Sequence, residues 1–258
     1  MENYLAGNLH ENTAVFYDYD NREIIKDDLV FYTDYANQIN GRILELACGT
    51  GRVSLHLAEN TKKNIDCADL SKKMLDIYSN KLETKYSHLK QYINLYNADM
   101  SDFDLKQQYG LVLIPWRALQ LLPEVELTIK CLECVYKHLA PDGLFIFEIF
   151  RPRDYDKNWV GREDISFDIT EGGKRIIRST FNHFADTKKQ YIQYKNKVRI
   201  IENGSETSTE DMMTLKYYYY NEITEMLKNS KFTIKEEFGY YNKSGIDDGG
   251  EMIFVCSK

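Results

Sequence analysis

Between Arg42 and Phe150 the sequence alternates short apolar runs with helical segments, and this alternation constrains the fold more than any other feature. Strand, helix and strand in succession make βαβ units, which build a parallel sheet with helices on its faces. Residues 42–48 read as a buried strand that enters a glycine turn, and residues 52–59 as the helix that follows. A second strand at 65–70 runs into Ser71, a helix cap, and then a helix carrying Met74, Ile77, Tyr78 and Leu82. Further strands are expected at 91–97, at 111–114 where Pro115 stops the run, and at 144–150. A helix over 125–139 and a turn at Ala140-Pro141-Asp142-Gly143 precede the last of these.

Past Arg151 the pattern changes. Residues 151–157 are a polar connector, and the next hundred residues look antiparallel. Over 189–201, Ile192, Tyr194, Val198 and Ile200 share one strand face with Asn196, while Gln193, Lys195, Lys197 and Arg199 share the other. Strands at 175–184 and 212–219 would complete a small sheet. A helix at 221–229 and strands at 232–238 and 252–256 then return to the core. The expected fold is α/β: a mainly parallel, Rossmann-like seven-stranded sheet whose final strand is reversed, with an antiparallel β insert after the fifth strand. Its expected divisions are 1–150 (N-terminal lid and core), 151–219 (insert, an acceptor lid) and 220–258 (return to core).

With 258 residues, 43% apolar content and only 4 Pro, the chain can bury a real core. Its net charge of −7 opposes bulk attraction to a nucleic-acid backbone, so no nucleic-acid partner is expected. No apolar run reaches the roughly eighteen residues of a membrane helix, and no membrane partner is expected. The start at Met1-Glu2-Asn3-Tyr4-Leu5 lacks the basic-then-apolar pattern of a signal peptide, which gives a cytoplasmic expectation. Five scattered cysteines read as free thiols. Cys131 and Cys134 form a CxxC, but they lie within the apolar pattern of Val125, Ile129, Leu132, Tyr136 and Leu139, and no second ligand pair accompanies them. No metal is expected.

The most informative stretch is Ile43-Leu44-Glu45-Leu46-Ala47-Cys48-Gly49-Thr50-Gly51-Arg52. Glycines between a strand and a helix let backbone approach a ligand closely, beside the unpaired N–H groups of the helix start. No Gly-Lys-Ser/Thr follows, which disfavours a phosphate-binding loop. The third small position of a dinucleotide fingerprint is occupied by Ser54.

This stretch resembles the first motif of the class I S-adenosylmethionine (SAM) dependent methyltransferases, in their small-molecule branch. Cys67-Ala68-Asp69-Leu70-Ser71-Lys72-Lys73-Met74 resembles the family's second-strand segment, where an acidic residue takes both ribose hydroxyls. Asn97-Ala98-Asp99-Met100 resembles the third-strand motif at the adenine, Leu113-Ile114-Pro115-Trp116 the fourth-strand end beside the methionine moiety, and Ala140–Gly143 the turn into the fifth strand. The resemblance implies SAM as cofactor, with Glu45, Ala47, Cys48, Gly49, Gly51, Arg52, Asp69, Leu70, Met74, Asp99, Met100, Pro115 and Trp116 around it. It also makes Tyr17 and Tyr32 the preferred pair of a tyrosine-bearing N-terminal lid.

Other readings accompany several of these residues. Asp69 could cap a helix, Asp99 could form a turn, Leu70 and Met100 could be ordinary core, and Glu45 could be an internal hydrogen-bond partner. Tyr17 and Tyr32 could simply pack an N-terminal helix. Ala47 replaces the motif's first glycine, which requires its backbone to stay at negative φ. Cys67 and Gly110 also depart from the family pattern.

Arg117 and Arg151 follow the fourth and fifth strands and, with Tyr155, are candidates for the acceptor. Two arginines there would suit an anionic one, or form surface salt bridges. Tyr17, Trp116, Glu148 and His183 are weak catalytic candidates. The expected activity is methylation of O or N on a small polar metabolite, with amino sugars, amino acids and phosphorylated compounds as classes, by a monomer or homodimer. An RNA or protein methyltransferase is the alternative, since residues 171–199 carry eight basic and two acidic side chains. A SAM-binding protein without turnover and an NAD-dependent oxidoreductase are remoter ones.

Overall fold

The computed structural model describes residues 8–20, 26–152 and 159–258. The chain divides into two compact units. The larger comprises residues 27–152 and 218–258, and the smaller gathers residues up to 26 with 153–217. The N-terminal segment therefore groups with the insert, rather than with the core as the division at 1–150 supposed.

The larger unit opens with helix α1 (Asp27–Gln38), then runs β1 (Ile43–Leu46), α2 (Arg52–Thr61), β2 (Ile65–Asp69), α3 (Lys72–Thr84), β3 (Ile93–Asn97), β4 (Tyr109–Ile114), α4 (Val125–His138) and β5 (Leu139–Phe150). The smaller unit supplies β6 (Glu163–Glu171), β7 (Lys174–Asp186), β8 (Tyr191–Glu202) and β9 (Ser205–Lys216). The chain then returns through α5 (Tyr220–Asn229), β10 (Thr233–Phe238) and β11 (Glu251–Ser257).

The seven-stranded sheet has the order β10-β11-β5-β4-β1-β2-β3. Strands β1 to β5 pair in parallel, while β11 runs antiparallel to both β5 and β10. Helices cover both faces, so residues of β1, β4 and β11 are buried whichever way they point. Ile43, Leu113 and Ile146 pack with α1, α2 and α3 through Tyr32, Leu57 and Tyr78. Leu44, Leu46, Phe145 and Phe147 pack with α4 and α5 through Leu132, Val135, Ile223 and Leu227. The order reverses between β1 and β4, and a crevice at the carboxyl ends of such strands is where α/β sheets bind ligands.

Two local expectations change. Ala140–Gly143 is a bulge within β5 rather than a turn before it: pairing with β4 steps from Leu139 opposite Tyr109 to Leu144 opposite Leu111. The insert has a fourth strand, β6, that the sequence pattern did not reveal, and its last strand ends at Lys216.

In the smaller unit the four strands form an antiparallel meander in sequence order. Phe167, Ile176 and Val198 make its small core, against which Phe16 and Tyr19 of the N-terminal segment pack. The Asn8 side chain binds the edge strand β9 as another strand would: Nδ2 donates to the Thr214 carbonyl at 2.9 Å, and Oδ1 accepts its N–H at 2.8 Å. Buried Asp211 accepts the Thr13 N–H at 2.8 Å and the Thr13 hydroxyl at 2.7 Å. Among the described residues no helix is long and apolar enough to cross a membrane, and no group of His, Cys, Asp and Glu could hold a metal ion. All five cysteines are free.

Candidate active site

Strand β1 ends at Leu46, and the chain reverses so that the Cys48 N–H meets the Ala68 carbonyl at 3.1 Å. That reversal puts Ala47 at φ +54° and Gly49 at +55°, with Gly51 at +84°. The expectation of negative φ at Ala47 is thus overturned. A tight turn outweighs the roughly 1–2 kcal/mol that a Cβ pays in the left-handed region. A Cβ on Gly49 would meet nothing within 4 Å, whereas one on Gly51 would stand 2.2 Å from the Tyr78 ring. Gly51 is therefore needed for packing, and Gly49 leaves bare backbone facing open space.

Glu45, only 2% exposed, supports this turn from the helix side by accepting the Ser54 N–H at 3.0 Å. Burial pushes its carboxyl up to about 7, against the pull of the Ser54 hydrogen bond and the Arg52 charge. Asp69 lies at the end of the neighbouring strand. Its Oδ2 accepts the Gly49 N–H and its Oδ1 the Ser71 N–H, each at 2.7 Å. Burial raises its pKa, and the N–H groups of Ser71, Gly49 and Leu70 oppose that rise. Ser71 is the cap of α3, its hydroxyl accepting from the Met74 N–H, so Asp69 orients the residue that caps rather than capping itself.

At the end of β3, Asn97 donates to the carbonyls of Asp69 and Leu70 at 3.0 and 2.9 Å, fixing the tip of β2. Asp99 makes the turn that was one of its two readings: Oδ1 accepts both the N–H and the hydroxyl of Ser101 at 2.8 Å. Leu70 is 39% exposed, unusual for a leucine at a strand end, while Met100 packs partly on the α4 side of the sheet.

Residues 43–143 match the family model described as a methyltransferase domain. YqeM of Bacillus subtilis, whose own methyltransferase assignment is provisional, is 31% identical over 109 residues, 42% of either chain, so the likeness spans less than half of that relative. A SAM-dependent methyltransferase from Clostridium acetobutylicum shares the fold at 20% identity and a TM-score of 0.73, over 93% of this chain and 98% of its own. CalS10, an amino pentose methyltransferase from Micromonospora echinaspora solved with SAM, does so at 18% identity and 0.69, over 89% of each. Residues 43–143 thus resemble a methyltransferase domain, and the seven-stranded unit has the fold of SAM-dependent methyltransferases.

The cofactor of class I methyltransferases is SAM, and the residues at this switch point fit it. Asp69 would keep acceptor capacity for a ribose hydroxyl beyond its bonds to backbone N–H groups, since a carboxylate has about four acceptor sites. Gly49 would allow a close backbone approach, and Leu70 would offer an exposed apolar surface to adenine.

The turn after β4, which the resemblance placed beside the methionine moiety, is built around cation–aromatic contacts. Trp116 and Arg117 both adopt left-handed backbone, at φ +57° and +61°. Two guanidiniums pack over the Trp116 ring, Arg52 at 5.3 Å and Arg117 at 5.9 Å from its centroid. Each guanidinium is held by a buried carboxylate: Arg52 by Asp28 at 2.6 and 2.5 Å, and Arg117 by Glu251, with 3.0 Å from its Nε. Arg151 binds the Ile246 carbonyl and approaches Asp247 at 3.3 Å. Arg117 and Arg151 thus make the salt bridges that were one of their two readings.

Tyr32 is fully buried and donates its hydroxyl to Glu148, so it supports the site from within and is no lid. Glu148, also fully buried, accepts the Tyr241 hydroxyl at 2.9 Å and the Trp116 N–H. Burial pushes it up to about 7. With its oxygens so engaged it is not placed as a base toward an acceptor. Met74 is 3% exposed and belongs to the core. Cys48 is buried, and Pro115 leads into the Trp116 turn.

Tyr17 and His183 belong to the smaller unit. Tyr17 stacks under Arg178 at 5.6 Å and meets the His10 ring edge at 5.5 Å, and His183 is exposed on β7. Burial lowers His10 to about 4, helped by the Arg178 charge. Tyr155 lies outside the described residues.

Sequence reasoning missed Asp28, Asn97, Tyr241 and Glu251. Asp28 and Glu251 act through arginines 24 and 134 residues away, and no local pattern announces such pairs. Asn97 was within the quoted third-strand motif and could have been found as a polar residue at a strand end.

Proposed function

We propose that this protein transfers a methyl group from SAM to a small polar metabolite, and that the acceptor atom is an amine nitrogen. The observation that carries the cofactor is the convergence of Glu45, Gly49, Gly51 and Asp69 on the reversal point of the sheet. When bound, SAM supplies an electrophilic methyl group on a sulfonium centre. Asp69 would accept the ribose hydroxyls, Leu70 and Met100 would flank adenine, and Asp99 would stand near its amino edge. Glu45 keeps the Gly49 turn in place through the Ser54 N–H.

Charge supports the choice of acceptor. Buried Asp28 and Glu251 match Arg52 and Arg117 one to one, which leaves neither guanidinium uncompensated for a phosphorylated compound and so favours an amine. CalS10, an amino pentose methyltransferase of the same fold, is consistent with that class. An amine can react by positioning and desolvation, without a dedicated base. Within the basic segment at 171–199, Lys195 pairs with Glu210, Arg175 with Asp168 and Lys174 with Glu202, which reduces the charge it offers to an RNA acceptor.

The test is a screen with methyl-labelled SAM against amino sugars, amino acids, their N-acetylated forms and sugar phosphates. Label in the free amines alone supports the reading. Label only in phosphorylated or hydroxyl acceptors lacking an amine overturns it.

A further inference from the structure

Glu148 is placed in an unusual way for a carboxylate that touches no solvent. It sits on β5 in the row of Ile146, on the sheet face covered by α1 to α3, and joins three distant segments. Tyr32 reaches it from α1, Tyr241 from the loop before β11, and the Trp116 amide from the end of β4. The amide is the telling partner. Two consecutive non-glycine residues in left-handed backbone are strained, and persist only where their surroundings hold them. Here a carboxylate oxygen holds the N–H of the first, while the guanidiniums of Arg52 and Arg117 pack over its ring.

Arg52 is also the first residue of α2, directly after Gly51, so the ring is tied to the glycine turn. Both guanidiniums lie within 6 Å of the Trp116 ring centroid, so the ring is packed against cations that are themselves fixed by carboxylates. We propose that Glu148 is a positioning residue of the methyl-transfer site: it sets the Pro115–Trp116–Arg117 turn, and thereby the wall beside the methionine end of SAM. This inference rests on the SAM reading above. It assigns Glu148 the work of holding backbone and aromatic geometry, with no contact to the acceptor.

The amide isostere should preserve this role. In Glu148→Gln the side-chain oxygen still accepts from Trp116 and Tyr241, and the new NH2 can donate to the Tyr32 hydroxyl oxygen. Glu148→Ala leaves all three donors without their acceptor. The chain has two tryptophans, so Trp159→Phe makes emission report Trp116 alone.

In that background the wild-type, Gln and Ala forms are titrated with S-adenosylhomocysteine and their emission spectra recorded, with Tyr241→Phe as a milder variant should Ala fail to fold. The expected result is Gln within about threefold of wild type with an unshifted emission, and Ala weakened about tenfold or more with a red-shifted one. Tyr241→Phe should fall between them. Equal affinity in wild type and a folded Ala or Phe variant, or equal losses in Gln and Ala, would overturn the proposal. If the wild type itself bound no S-adenosylhomocysteine, the SAM reading would fail, and an emission shift in Ala but not in Gln would still separate the role of Glu148 from that failure.

Discussion

Asp69 accepts the Gly49 N–H on Oδ2 at 2.7 Å, so the acidic residue at the end of β2 and the glycine turn after β1 form one rigid unit. The same carboxylate holds the Ser71 N–H through Oδ1. Its structural and ligand-binding readings are therefore compatible, because the backbone bonds leave part of the carboxylate's acceptor capacity unused. Asp69→Ala should weaken S-adenosylhomocysteine binding by roughly a hundredfold or more, as two charge-assisted hydrogen bonds at about 1.5–3 kcal/mol each would be lost. Calorimetry on the two proteins checks this, and an affinity within threefold of wild type would refute the ribose assignment.

The two glycines of the turn should respond differently to alanine. At Gly49 the new Cβ meets nothing, so Gly49→Ala should cost only about 1–2 kcal/mol of backbone strain while sharply reducing cofactor affinity. At Gly51 the Cβ would collide with Tyr78, and Gly51→Ala should lower the melting temperature well beyond the Gly49 variant. Equal melting temperatures for the two would contradict the assigned roles.

Much of this architecture was legible because the βαβ pattern and the glycine turn are local. The strand and helix positions of residues 43–138 follow from apolar runs and caps that neighbouring residues specify. Ala47 escaped because its backbone sign depends on where Cys48 must return, against the carbonyl of Ala68. Tyr32 looked like a lid because nothing near it in sequence reveals Glu148, 116 residues away. Gly110 departs from the family pattern for a similar reason, since a Cβ there would stand 1.8 Å from the Asn40 carbonyl oxygen.

Glu45 and Glu148 tie stability to pH. Burial raises both from an ordinary 4.5 to about 7, so the folded state holds their protons more tightly than the unfolded chain. The stability this contributes is fully present below 4.5 and is lost as pH rises through 7. Glu45→Gln and Glu148→Gln are neutral throughout. Their melting temperatures should therefore improve relative to wild type between pH 4.5 and 7 and then level off. A gap that stays constant over that range would show that neither carboxyl is shifted upward.

Asp211 ties the N-terminal segment to β9 through Asn12 and Thr13. Asp211→Ala would strand those donors, at about 1–3 kcal/mol for each buried group left unmade. Limited proteolysis should then cleave within residues 8–20 several times faster than in the wild type, with the seven-stranded unit intact. Unchanged cleavage would show that the apolar contacts of Phe16 and Tyr19 suffice.

The central claim is that the crevice at the reversal of strand order binds SAM, and titration of the purified wild-type protein with S-adenosylhomocysteine, beside NADH, tests it most directly. The account predicts saturable binding of S-adenosylhomocysteine at micromolar concentration and none of NADH. A folded protein that bound NADH, or neither ligand, would contradict it.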